Sequence, residues 1–262
     1  MRGGLCGATV LIAALSFALS SLAFAQDSRE SVEADVSTRR IAIESDFSGV
    51  RILLFGAVEN STQTAPEDGL YDLAIVIEGP REELIVRRKS KVAGIWVNTE
   101  ANPYKAVPSY YAIISTRPVD EIARPQLLKW LGIGFDQIKL LAVGKFEDGE
   151  EKNFRESIIR IKETQGLYRK AEHGVAFIGS SLFRATIDLP ANVSVGEFSA
   201  RVHLFRNGAY LNSYNTQLNL QREGFERLVY TFAFEYPFFY GVAAVILAVL
   251  AGLAATAIFK RD

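Results

Sequence analysis

Gly196-Glu197-Phe198-Ser199-Ala200-Arg201-Val202-His203-Leu204-Phe205-Arg206-Asn207-Gly208-Ala209-Tyr210-Leu211-Asn212-Ser213-Tyr214 decides the fold class. Phe198, Ala200, Val202 and Leu204 alternate with Ser199, Arg201 and His203, the period of a half-buried strand. Asn207-Gly208 supplies two residues that tolerate positive φ, as a type I′ hairpin turn requires. That turn predicts Phe205 opposite Tyr210, Leu204 opposite Leu211 and His203 opposite Asn212. One face of the hairpin is then apolar. The other carries Ser199, Arg201 and His203 beside Asn212, Tyr214 and Thr216. One packed and one wet face suit an antiparallel sandwich.

The same texture extends outward. Residues 182–189 read as a strand before the hairpin, and β-rich runs fill 41–43, 50–58, 71–78, 83–89, 92–98 and 110–116. Ser48-Gly49, Pro66-Glu67-Asp68-Gly69 and Gly79-Pro80 punctuate them. Between the β regions the pattern turns helical. Pro125 opens a short helix over 125–131 and Gly132 follows its end. A longer helix over 148–165 is capped by Asp148, turns Phe154, Ile158 and Ile161 to one side, and ends at Gly166. Arg51-Ile52-Leu53-Leu54-Phe55 is similar to Arg201-Val202-His203-Leu204-Phe205, so a tandem of related domains and a chance likeness are both open. The fold class expected is mainly β: one or two Ig-like β-sandwich regions with a helical insert, plus a single C-terminal transmembrane helix.

The two ends of the chain are apolar for different reasons. Arg2, an apolar run over 9–18 and Ala23-Phe24-Ala25 form the three parts of a signal peptide, cleaved after Ala25. An uncleaved anchor is the alternative. Residues 238–259 carry no charge, and at about 1.5 Å per residue they extend about 33 Å, the thickness of a bilayer core. Lys260-Arg261 marks the cytoplasmic side, and Tyr236, Phe238, Phe239 and Tyr240 mark the opposite interface. The expected layout is a signal peptide 1–25, a disordered acidic leader 26–39, an N-terminal β domain 40–117, a helical insert 118–172, a C-terminal β region 173–223, a juxtamembrane segment 224–237 (interfacial helix or last strand), a span 238–259 and a cytoplasmic tail 260–262. This places a single-pass protein in the inner membrane, its main domain periplasmic.

Composition narrows the function. The chain has 262 residues, 49% hydrophobic and 23% charged, with a net charge of −1 and a pI near 6.2, so no overall basic footprint for nucleic acid exists. The sole Cys and sole Met, Cys6 and Met1, both lie in the signal peptide. The processed chain therefore has no disulfide or thiolate chemistry. His173 and His203 have no third ligand nearby in sequence. Gly179-Ser180-Ser181 lacks the nucleophile elbow, and Glu147, Asp148, Glu150 and Glu151 lack calcium-loop spacing and read as a solvated helix start. No catalytic residue, cofactor or metal site is expected, and the protein is expected not to be an enzyme.

Three surfaces are candidates for binding. Arg87, Arg88, Lys89 and Lys91 form a basic patch for anions or lipid, or else a charged edge that prevents sheet-to-sheet aggregation. Trp96, Tyr104, Tyr110 and Tyr111, with Pro103 and Pro108 among them, form an aromatic platform or part of a core. Ala244, Ala248, Gly252 and Thr256 recur every four residues, a small-residue stripe on which a second membrane helix, from another membrane protein or a second copy, can pack.

Arg39-Arg40-Ile41-Ala42-Ile43-Glu44-Ser45-Asp46-Phe47-Ser48-Gly49, continuing into Leu54-Phe55-Gly56-Ala57, resembles a family of alphaproteobacterial transmembrane proteins. The layout matches over nearly the whole chain. The resemblance carries no catalytic residues over. It implies a partner, a polytopic permease of the sulfite-exporter type, near which such proteins are often encoded. The expected function is thus a membrane-anchored periplasmic binding or scaffold protein. The alternative is an anion- or solute-binding module using Arg87, Arg88 and Lys91, and an enzyme of another type is third.

Overall fold

The computed structural model describes residues 30–43, 47–65, 68–144, 150–222 and 225–259. The expected signal peptide 1–25, the expected cap Asp148 and the expected tail 260–262 lie outside the described residues.

Two sheets face each other. One has four strands in the order β1 (Ser31–Val36), β3 (Gly49–Glu59), β11 (Leu182–Pro190), β10 (Val175–Ile178). The other has six: β2 (Arg40–Ile43), β13 (Ala209–Arg222), β12 (Gly196–Arg206), β4 (Tyr71–Glu78), β7 (Tyr111–Ser115), β9 (Tyr168–Ala171). Alternation aims Ile52, Leu54, Phe183, Ile187 and Leu189 of the first sheet at Leu73, Ile75, Phe198, Val202 and Leu204 of the second, all buried in one core.

Strands from both sides of the insert interleave. β11 pairs with β3, and β12 pairs with β4. The two expected β regions therefore share one sandwich, which also takes in β1 from the expected leader and β9 from the expected insert 118–172, so neither 117 nor 172 is the edge of a separate domain. The two similar segments are β3 and β12, one in each layer.

β4 and β7 are buried along nearly their whole length, because the insert covers the outer face of the larger sheet. α1 (Val119–Ile122), α2 (Pro125–Leu131) and a 3₁₀ turn (Phe135–Gln137) contribute Ile122, Leu128 and Phe135 to the main core. Gly132 ends α2 in the left-handed conformation (φ 71), as Pro125 and Gly132 lead one to expect.

Three further expectations are corrected by local structure. First, within the expected disordered leader, residues 31–36 form a strand. Val32, Ala34 and Val36 of β1 are buried while Glu33 points out, a period-two strand within a polar composition. Glu30 ties it down, accepting from the Tyr71 hydroxyl (2.6 Å), Arg206 (2.7 Å) and Thr62 (2.9 Å). Burial pushes this carboxyl up, but those hydrogen bonds and the arginine hold it below its ordinary range. Second, the Asn207-Gly208 turn pairs Phe205 with Tyr210 as expected, but a bulge then sets Leu204 opposite Asn212 and His203 opposite Ser213. Third, in α3 (Glu150–Thr164) Phe154 and Ile158 are buried but Ile161 is exposed. Lys162 is buried instead, paired with Glu82.

The β4–β7 ladder does not stop at the sheet. It runs on through Gly79 N–H to Tyr110 O (2.9 Å) and Ser109 N–H to Pro80 O (2.8 Å). It then becomes β5 (Arg81–Val92) paired with β6 (Ile95–Pro108). The result is one long hairpin, an arm whose outer half leaves the sandwich and turns at Ala93-Gly94 (φ 49 and 87). Strand runs on through 90–91 and 99–108, between the separate β-rich runs read from the sequence. β8 (Leu141–Ala142) adds to β6 near the base, and α3 packs Phe154 and Ile158 on Val86, Tyr104 and Val107 in a second small core. After β13 the chain forms α4 (Phe225–Glu235), which settles the juxtamembrane segment as helix, and α5 (Pro237–Phe259).

Candidate functional site

Two concavities on the described surface bear on function. The more polar, about 760 Å³, lies where the base of the arm meets α2, the 3₁₀ turn and α3. Glu78, at the end of β4, accepts from Arg81 Nη2 (2.5 Å) and Arg201 Nη2 (3.4 Å). Arg155 reaches in from α3, and its Nη2 donates to the carbonyls of Asp136 (2.8 Å) and Ile138 (2.6 Å). Lys129 and Lys139 also line the space, with no carboxylate partner among the described residues. Five cations face Glu78 and Asp136 there, so the cavity favours anions. Tyr111 closes one wall. Its hydroxyl donates to Gly132 O (3.1 Å), and burial pushes its pKa up to about 12.

The second concavity, about 630 Å³, is a groove on the outer face of the four-stranded sheet. Solvent-facing positions of such a sheet are ordinarily polar. Here Leu53, Phe55, Ile178 and Leu182 are exposed side by side, rimmed by Glu33, Asp35, Arg39 and Arg184. Asp35 and Arg39 pair at 2.9 Å.

The sequence-based candidates are dispersed. Arg88 is held between Glu150 (2.8 Å) and Glu100 (3.4 Å), which removes it from a free anion site. Arg87, Lys89 and Lys91 are exposed along the arm, without a carboxylate partner among the described residues. The aromatic platform does not form. Tyr104, Tyr110 and Tyr111 are at most 2% exposed and belong to the cores, whereas Trp96 is 67% exposed near the arm's tip. Ala244, Ala248, Gly252 and Thr256 are exposed along α5, and an added Cβ at Gly252 would meet nothing within 4 Å. Thr256 Oγ1 donates to Gly252 O (2.8 Å), which satisfies the hydroxyl within its own helix.

His173 Nδ1 lies 3.1 Å from Thr116 O. His203 is buried, with neither ring nitrogen hydrogen-bonded. Burial and the Arg201 charge lower its pKa to about 4. Among the described residues no group of three His, Cys, Asp or Glu is placed to hold a metal ion. The sequence reading missed the cation-lined cavity, because Glu78 and Arg201 meet only through the β12–β4 pairing. It missed the groove because the outward-facing Leu53 and Phe55 look like core residues.

A β-sandwich continued into a single apolar helix defines the class: a membrane protein with one candidate C-terminal span, Pro237–Thr256, of mean hydropathy 2.4. The chain belongs to the family described as "Putative transmembrane protein (Alph_Pro_TM)", whose profile matches residues 31–261. No curated protein matches it by sequence.

Proposed function

We propose that this is a non-enzymatic binding and scaffold protein, anchored in the inner membrane with its sandwich in the periplasm and accessory to a polytopic transporter. The observation that carries the reading is the apolar groove of Leu53, Phe55, Ile178 and Leu182. Exposed apolar side chains set together with a charged rim suit a protein partner. The small-residue stripe of α5 supplies a second contact, inside the membrane. The A-x-A site at Ala23-Phe24-Ala25 and the terminal Lys260-Arg261 support the orientation. The transporter class rests on the family resemblance.

Affinity purification from native membrane tests this. Wild type is expected to bring down a polytopic membrane protein. Gly252→Leu and Phe55→Lys are each expected to lose it while insertion persists. Leu253→Ile, on another face of α5, serves as the control. Retention of the partner by both variants would sink the reading.

A second reading, an anion-binding module, is favoured by the cavity around Arg81, Arg201, Lys129 and Lys139, not by Arg87, Arg88 and Lys91. Calorimetric titration with sulfate is expected to show binding that weakens with salt. The Lys129→Ala/Lys139→Ala double variant should weaken it roughly tenfold or more, the loss of a charge-assisted contact. No heat with millimolar sulfate excludes the site.

A further inference from the structure

We infer that the tip of the β5–β6 arm is a second membrane contact, which docks on anionic phospholipid headgroups on the sandwich's own side of the bilayer. The inference goes beyond the proposed function and rests only on α5 being the span. It begins with composition. From Leu84 to Thr99 the arm holds no acidic residue. Pairing of Lys91 with Trp96 and of Val92 with Ile95 sorts the tip into two faces. Val92, Ile95 and Val97 share one, and Lys89, Lys91 and Trp96 share the other. Ile95 and Trp96 are each 67% exposed, and Val92 is 52%. Lysines on an open strand edge discourage pairing with other strands, but that leaves exposed Val, Ile and Trp without a reason. Large apolar side chains, tryptophan and unpaired cations together are the composition of a membrane–water interface.

Topology puts this tip at the correct end. Glu78 lies opposite Ser199, and Ser199 opposite Gln217. From that level β13 runs on to Arg222 and the chain goes on to the span. β4 points the same way and continues as the arm. Extended at about 3.3 Å per residue, the step from Glu78 to Val92 covers about 46 Å. The step from Gln217 to Arg222 covers about 17 Å, α4 adds at most about 16 Å, and the three remaining residues before Pro237 add at most about 10 Å. Even the longest connection therefore does not exceed the arm, so the tip reaches the level at which the span begins. It is also braced. α3 packs on its base, Lys162 pairs with Glu82 and Glu150 with Arg88. Bracing stops at Arg88, and residues 91–99 beyond are exposed. A stiff strut ending in an apolar, cationic tip suits a lipid surface better than a soluble anion, which needs no apolar face.

The test uses the full chain in proteoliposomes, with Trp130→Phe leaving Trp96 as the sole tryptophan. In phosphatidylglycerol–phosphatidylethanolamine vesicles, Trp96 emission is expected to shift to the blue. Brominated phosphatidylglycerol should quench it, and acrylamide should reach it several-fold less than in detergent micelles. In pure phosphatidylcholine the protection should largely disappear. Lys89→Gln and Lys91→Gln are each expected to shift the docked-to-free ratio roughly fivefold towards free. Ile95→Asp should abolish docking. An unchanged melting midpoint of the sandwich shows that these variants fold. Trp96 that stays open to acrylamide in phosphatidylglycerol vesicles overturns the inference. So does protection without lipid quenching, since that reports a second copy or another protein over the tip.

Discussion

Gly56→Val is expected to lower the melting midpoint of the sandwich by roughly 10 °C, from a loss of about 3 kcal/mol or more. Gly56 sits in β3, between β1 and β11, opposite Ala34 and Phe183. A Cβ there would fall 2.2 Å from the Glu33 carbonyl oxygen and 2.5 Å from the Phe183 ring. The first contact is backbone of the neighbouring strand, so relief requires displacing β1. The second is a ring buried in the core, where it covers the bare glycine. Gly56 does not have positive φ, so the whole effect is steric and Gly56→Ala should show most of it. Gly94, at the arm's turn, is the comparison: φ is +87 but nothing lies within 4 Å of an added Cβ. Gly94→Ala should therefore cost only about 1 kcal/mol of local strain. Thermal unfolding of the full chain in detergent, followed by near-UV circular dichroism, reads both. A Gly56→Ala or Gly56→Val midpoint within a degree of wild type would refute the close packing of β1 on β3.

Local pattern accounts for the parts that the sequence made legible. The Asn207-Gly208 turn, the Phe198–Leu204 alternation, the Pro125 start and Gly132 end of α2, and the uncharged run of α5 each satisfy a rule confined to a few residues. The β-rich fold with one candidate C-terminal span follows from them. What was hidden is set by distance or by mixed composition. β1 carries Val32, Ala34 and Val36 at period two, but Glu33 and Asp35 between them made a short segment look like a solvated leader. The choice of β3 as partner for β11 spans the helical insert and follows from how two twisted sheets close a common core. The arm was obscured by Pro103 and Pro108, which suggest loops. Both nonetheless lie within β6, opposite Ile85 and Arg81.

The candidate surfaces divide in the same way. The stripe from Ala244 to Thr256 is legible because helix period alone defines it. The basic run at 87–91 was legible as charge, but its partner Glu150 is 62 residues from Arg88, so the neutralised arginine could not be told from the free lysines. Tyr104, Tyr110 and Tyr111 looked like Trp96 in sequence. Only strand register separates a buried tyrosine at the base of the arm from an exposed tryptophan near its tip.

Acidification is expected to weaken the fold between about pH 6.5 and pH 4 through one side chain, His203. The imidazole is 4% exposed and both nitrogens lack a hydrogen-bond partner. Burial, with Arg201 next in effect, lowers its pKa to about 4, against about 6.5 in an unfolded chain. Between those values the unfolded chain binds a proton that the folded chain does not, so stability falls as pH falls. The loss begins near the unfolded value and is complete near the folded one, about 3 kcal/mol in all. Glu30, Asp35 and Asp68, whose carboxyls are all held low, add a further loss at lower pH. The contribution of His203 is therefore read as a difference between proteins. His203→Phe keeps a ring against Tyr210, whose centroid lies 6.3 Å away, and removes two unpartnered polar atoms. At pH 7 this variant should be as stable as wild type or more so. Between pH 6.5 and pH 4 its unfolding free energy, from denaturant titration, should stay nearly level while that of wild type declines. Parallel curves would mean that the imidazole is solvated or protonated in the fold, and that the outer face of β12 is less completely covered by the insert than its burial indicates.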